Sequence, residues 1–353
     1  MTPVEDNPYG VRVPGRRHSL PGLETPPTDD HPLVPWDEPG HTAQWVDVDH
    51  AREQVARFGQ QTLDRLGELV TPGVGAGRLV VVSGPRGMGK TTLIHRCIYE
   101  AGEYIARLSG AGSPPALRRI VAMTGGYRNT GSGISIDENG DFAAMPVVNG
   151  NIRDQIHATL CRHFEDVKID PAIAEEPPAK AFGAISVLLT QQDALLFAVI
   201  PHIDWKDAGV RTNFLKTCLN HARTRIVLFV EVSQETNEAA EAVIGELPDG
   251  AVTHLALGQL TSEDTVKFSA GPHHSRPQDL PPAVRAGLIA AHDAQQPADV
   301  RELRQVFYAA AERRRHGAAG TPITADELSR HWQPGAPDLR SLTRHSPQTS
   351  TGS

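Results

Sequence analysis

Short apolar, β-branched runs alternate with stretches of helical periodicity from residue 79 to residue 257. That alternation predicts a mainly parallel sheet with helices on both faces. The strand-like runs cover 79–83, 119–123, 194–200, 225–232 and 252–257, and helical patterns cover 90–108, 152–165, 181–191, 209–222 and 235–246. Ahead of the first strand, Val55, Phe58, Thr62, Leu66 and Leu69 recur at helical spacing behind Asp49, a residue type that caps helices. Ile134 and Ile136 alternate with polar residues before Asn139-Gly140, and Phe142 and Ala144 alternate after it. This predicts a small hairpin inserted near 132–146. After Leu260 the pattern is helical only. Thr261-Ser262-Glu263-Asp264 caps one helix, further helices cover 282–292 and 297–315, and Thr324-Ala325-Asp326-Glu327 matches a capping box for the last.

Residues 1–44 lack this periodicity and are rich in proline, as are residues 334–353 in proline, serine and threonine. Such composition nucleates no core, so both are read as disordered, with Trp36 as a possible local anchor. The domains expected are a leader at 1–44, an α/β core at 45–258, a helical lid at 259–333 and a tail at 334–353.

Composition narrows the class. The 353 residues are 39% hydrophobic with a net charge of -8, which disfavours a surface built throughout for nucleic acid. No apolar run approaches the ~18 residues of a membrane span. The N-terminus lacks a secretory apolar region, so a cytoplasmic protein is expected. Cys97, Cys161 and Cys218 are widely spaced and fall in helical segments, which reads as buried thiols in a reducing compartment.

The chemistry is concentrated at Gly84-Pro85-Arg86-Gly87-Met88-Gly89-Lys90-Thr91, which fits G-x-x-x-x-G-K-[ST] between a strand and a helix. In that context the glycines let backbone N–H groups curl around a polyphosphate. Lys90 places a cation on the β- and γ-phosphates and Thr91 offers a hydroxyl to Mg2+. With Thr92 behind it, the helix N-terminus faces the anion.

With this loop, the strand leading to Asp204, a later polar-ended strand and the helical lid, residues 50–330 resemble the AAA+/STAND branch of P-loop ATPases. The resemblance implies a three-layer α/β/α P-loop NTPase fold with a mainly parallel five-stranded sheet. It also implies ATP with Mg2+ as the bound nucleotide, and hydrolysis coupled to lid movement. In similar proteins an apolar strand ends in paired acids that orient the metal and polarise water. Here Pro201 and His202 stand at those positions, and only Asp204 remains of the acidic pattern. Two replacements are open: Asp204 as catalytic and metal residue, or Glu231 at the end of the run 226–230. In the lid, Pro297-Ala298-Asp299-Val300-Arg301 resembles the segment whose arginine folds onto the nucleotide, which makes Arg301 the candidate.

An ATPase and a non-hydrolysing ATP switch therefore compete, with a protein partner or self-association through lid or leader. A DNA-associated helper ATPase shares the same core, but the acidic balance and the few residues after 333 do not favour it.

Overall fold

The computed structural model describes residues 7, 9, 36–37, 45–48, 51–71, 77–109, 117–124, 145–203, 205, 207–233, 241–242, 244–247, 250, 252–270, 277–297, 299–314 and 322–332. These residues divide between two compact units. One is built from 49–259 with 35–39, and the other from 260–353 with 1–34 and 40–48.

The first unit is organised on five strands: β1 (Arg78–Gly84), β2 (Arg118–Met123), β3 (Ala194–Ile200), β4 (Ile226–Ser233) and β5 (Val252–Ala256). All pairings are parallel, in the order β2-β3-β4-β1-β5. Every residue of β1 and β3 is buried, which accounts for their continuous rather than alternating apolar character. Alternate side chains serve opposite faces. Leu79 and Val81 join the cluster that contains Val148, Ile152, Phe182 and Phe214. On the other face Phe229 packs between Phe58 and Phe197, with ring centroids 5.7 and 6.3 Å away. The result is the α/β/α architecture that the alternating pattern predicts.

The helices of this unit are α1 (Ala51–Phe58), α2 (Leu66–Val70), α3 (Lys90–Ser109), α4 (Met145–His163), α5 (Ala172–Glu175), α6 (Pro178–Gln191) and α7 (Ala208–His221). Between α1 and α2 the chain makes a π-helical turn at Gly59–Leu63, so the single helix expected from 55 to 69 is broken. Helix α4 starts at Met145, seven residues before the expected position, and so takes up the end of the segment expected as a hairpin. The rest of that segment, 132–144, lies outside the described residues, as does most of the helix expected at 235–246. The N-cap of α7 is Asp207, whose carboxylate accepts from the Val210 N–H at 2.8 Å.

The second unit contains α8 (Ser262–Ala270), α9 (Pro282–Gln295), α10 (Val300–Arg314) and α11 (Ala325–Ser329). The capping box at Thr324 forms as its sequence predicts, and Glu327 also binds Arg314. Two leader residues belong to this unit's core: Tyr9 is 1% exposed and Asn7 is 3% exposed. At these positions the expectation of a leader without core residues gives way. Cys97 and Cys218 are buried thiols, but Cys161 is exposed, because it faces outward from α4.

Two histidines, the buried His221 and the half-buried His254, set an acid limit on the fold. His221 stacks on Phe182 with centroids 4.4 Å apart and planes 6° apart. Burial, helped by Arg223, holds its pKa down at about 4. His254 shares a 2.7 Å hydrogen bond with Ser83, and burial with the nearby Arg57 lowers it to about 4 as well. Because the folded values lie below the ordinary histidine range, the unfolded chain binds more protons between about pH 6.5 and pH 4. Stability is thus present above about pH 6.5 and falls as pH drops toward 4, by up to about 3 kcal/mol for each residue. Chemical denaturation at pH 7 and pH 5 measures the loss; the variant His221→Phe should show a shallower one.

Candidate functional site

The loop 84–91 connects the C-terminal end of β1 to the start of α3. Gly84, Gly87 and Gly89 have φ of 148°, 81° and 84°, a region that side chains with a Cβ disfavour. At Gly84 a Cβ would also meet the Leu257 carbonyl oxygen at 2.6 Å, so glycine is required there on two counts. Met88 is buried and pins the loop's midpoint, whereas Arg86 is exposed; Pro85 and Thr92 are half-buried. Lys90 is buried and its ammonium donates to the carbonyls of Gly84 at 3.1 Å and Pro85 at 2.8 Å. Those bonds use two of its three donors and hold the cation in the loop's concave side. Burial lowers the Lys90 pKa, Glu231 opposes that shift, and Arg86 adds to it.

The sheet order decides which acid reaches this loop. β4, not β3, is the neighbour of β1, with Val82 opposite Glu231 and Gly84 opposite Ser233. Glu231 is buried at the loop's edge, and the Thr91 hydroxyl donates to its Oε1 at 2.6 Å. Burial raises the Glu231 pKa, against the opposing effects of the Thr91 hydrogen bond and the Lys90 charge. One carboxyl oxygen and one hydroxyl thus lie together beside the buried Lys90 side chain.

β3 lies one strand further away and is followed by Pro201 and His202. His202 Nδ1 accepts from the Ser233 N–H at 3.1 Å and fastens the end of β3 to the end of β4. An accepting Nδ1 leaves the proton of the neutral ring on Nε2. A small cleft beside Glu231 is bordered by Pro201, His202, Trp205 and Arg211. Asp204 lies outside the described residues. Arg301 is in the helical unit, where its guanidinium donates to Asp299 at 2.9 Å and the other Asp299 oxygen accepts from the Glu302 N–H.

Mg2+ takes hard oxygen ligands, keeps several waters and shares substrate phosphates, so it needs few protein donors. The Thr91 hydroxyl and the Glu231 carboxylate supply two such oxygens. No group of three or more His, Cys, Asp or Glu side chains suited to a metal occurs among the described residues. The donor set fits a cation held jointly with a nucleotide rather than a self-sufficient metal centre.

No family model matches the chain, and no curated protein matches it in sequence. Similar solved structures include the ORC2 protein of Aeropyrum pernix in ADPNP–ADP complexes, with a TM-score of 0.47 and 14% identity over 84% of this chain and 71% of that one. Cdc6p from Pyrobaculum aerophilum gives 0.41 and 11%, over 77% and 62% of the respective chains. Domain III of the Thermotoga maritima replication initiation protein DnaA gives 0.37 and 10%, over 82% and 95%.

Proposed function

We propose that the chain is an ATP-binding P-loop protein of AAA+/STAND type, which holds Mg-ATP on loop 84–91 and couples nucleotide state to lid conformation and partner binding. The observation that carries this reading is the contact between Thr91 and Glu231 at the mouth of a loop that already holds the Lys90 ammonium. Backbone N–H groups of the loop and the start of α3 bind the phosphates, and Lys90 neutralises the terminal ones. Thr91 and Glu231 are the residues that would hold Mg2+. The metal, when bound, supplies charge neutralisation on the β- and γ-phosphates.

Hydrolysis through this site is slow. A water-polarising acid is missing at the end of β3, where Pro201 has no side-chain oxygen. Nδ1 of His202 is engaged by the Ser233 N–H, so the neutral ring presents a donor rather than a proton acceptor. The same two residues favour a second reading, a non-hydrolysing ATP switch that signals through the lid or the leader.

Phosphate release measured beside nucleotide binding separates these readings. Turnover at saturating Mg-ATP is expected below about 1 s⁻¹, the low edge of ordinary enzymes. Loss of that turnover in Glu231→Ala but not in Asp204→Ala assigns the acid to β4. Rapid turnover that survives Glu231→Ala would overturn the assignment.

A further inference from the structure

The N-terminal residues make a set of contacts that nucleotide binding does not use. Tyr9 packs its ring against both Phe307 and Phe268 of the helical unit, with centroids 5.1 and 6.4 Å away, and those two rings lie 5.6 Å from each other. Its hydroxyl donates to the Phe268 carbonyl at 2.8 Å. Phe268 lies in the last turn of α8, where carbonyls have no partner within the helix, so the phenol satisfies an acceptor that α8 itself leaves open. Arg304, 2% exposed on α10, donates from Nε to the Tyr9 backbone carbonyl at 3.0 Å. Asn7 donates from Nδ2 to the Tyr308 carbonyl at 3.0 Å and to Glu312 at 2.7 Å.

These contacts have the form of ligand recognition. The side chains and one main-chain carbonyl of a short segment are read by α8 and α10, which lie about 260 or more positions further along the chain. Asn7 Oδ1 accepts from the Tyr9 N–H at 3.0 Å, a local turn that preorganises the segment before it docks. The intervening stretch to Trp36 is proline-rich and supplies no periodic apolar face of its own. One aromatic anchor with a few hydrogen bonds is on the scale of roughly micromolar peptide recognition.

We propose that the groove formed by Phe268, Phe307, Arg304 and Glu312 is a peptide-binding site specific for an Asn-x-Tyr segment, with the chain's own N-terminus as its exchangeable occupant. The ring selects an aromatic residue, the Phe268 carbonyl selects its hydroxyl, and Tyr308 with Glu312 selects the amide two residues earlier.

The test cuts the leader without deleting it. A protease site placed after Gly22 in the full chain is cleaved, and a fluorescent peptide of residues 4–12 is added. The N-terminal fragment is expected to remain bound after cleavage and to exchange for the labelled peptide. A Tyr9→Ala peptide should compete about 100-fold more weakly, because it loses the buried ring and its hydrogen bond. Failure of the labelled peptide to bind the cleaved chain at about 100 μM, while the rest stays folded, would overturn the proposal, as would equal competition by the Tyr9→Ala peptide. A fragment that never exchanges, or a helical unit that unfolds on cleavage, would show a structural core element instead of a ligand. As a second variant, Arg304→Gln in the cleaved chain should weaken peptide binding at least 10-fold; unchanged affinity contradicts the recognition described.

Discussion

Replacing Lys90 by alanine is expected to weaken ATP binding by about 100-fold or more, with the fold intact. The ammonium is buried in the loop and already desolvated, so a phosphate oxygen meets a cation that has little water to shed. Charge-assisted hydrogen bonds in such surroundings are among the strong ones, and losing one buried charged partner costs about 2–5 kcal/mol. Stability should move the other way or hardly at all. Burial disfavours the charged form of Lys90, as its lowered pKa shows, so the side chain is held at a cost to the fold. Thermal unfolding without nucleotide and titration with ATP, run on the same variant, separate the two effects. Lys90→Arg should not rescue binding, because a planar fork cannot reproduce a compact ammonium between the Gly84 and Pro85 carbonyls. Unchanged affinity in Lys90→Ala would remove loop 84–91 from the binding site.

Glu231→Gln should separate stability from function. In the folded chain the buried carboxyl has a raised pKa, with desolvation as the leading cause. The sign follows directly: a carboxyl with a raised folded pKa contributes stability below the unfolded carboxylate range, and that stability is lost as pH rises through the folded value. Glutamine keeps an acceptor for the Thr91 hydroxyl but removes the buried charge. The variant should therefore be more stable than the natural protein at neutral pH, by about 1–2 kcal/mol. The difference should open as pH rises above the ordinary carboxylate range and shrink toward acid. Over the same series the Mg2+ dependence of ATP binding should largely vanish, because an amide is a poor ligand for a hard cation. Gains in stability without loss of Mg2+ dependence would leave Glu231 as a structural acceptor for Thr91 and send the metal role elsewhere.

Much of this arrangement is legible in the residues themselves. The central strands β1, β3 and β4 are apolar and β-branched because they are buried on both faces, and loop 84–91 stands out because its spacing matches a phosphate-binding pattern. Sheet order is not legible in this way. Periodicity predicts a parallel sheet without saying which strands are neighbours, so Asp204 after β3 and Glu231 on β4 both stay open in the sequence, with Asp204 the first choice. The pairing of Val82 with Glu231 is what brings that carboxylate to Thr91. His202 likewise stands where an acid is expected, and only the structure shows its Nδ1 accepting from the Ser233 N–H. The π-helical turn at Gly59–Leu63 keeps its residues compatible with helical spacing and so leaves no mark in the pattern. Tyr9 escapes for the opposite reason: a single buried aromatic in a proline-rich stretch has no period at all.

The helical unit raises a related point about Arg301 and Arg304. The resemblance to known lids singles out Arg301, and that side chain is paired with Asp299. Arg304, one turn further along α10, is the deeply buried one. Burial lowers its pKa to about 10, with the nearby Tyr9 acting against that shift. A buried guanidinium needs acceptors, and the Tyr9 carbonyl is one of them, which links the core of the helical unit to the N-terminal segment.

The most direct measurement of the central claim is calorimetric titration of ATP into the full chain, with and without Mg2+. Binding at a single saturable site, tightened by Mg2+ and absent in Lys90→Ala, is the result predicted by a loop that holds phosphates and a Thr91–Glu231 pair that holds the metal. No saturable binding in either condition, or binding that Lys90→Ala leaves intact, would contradict it.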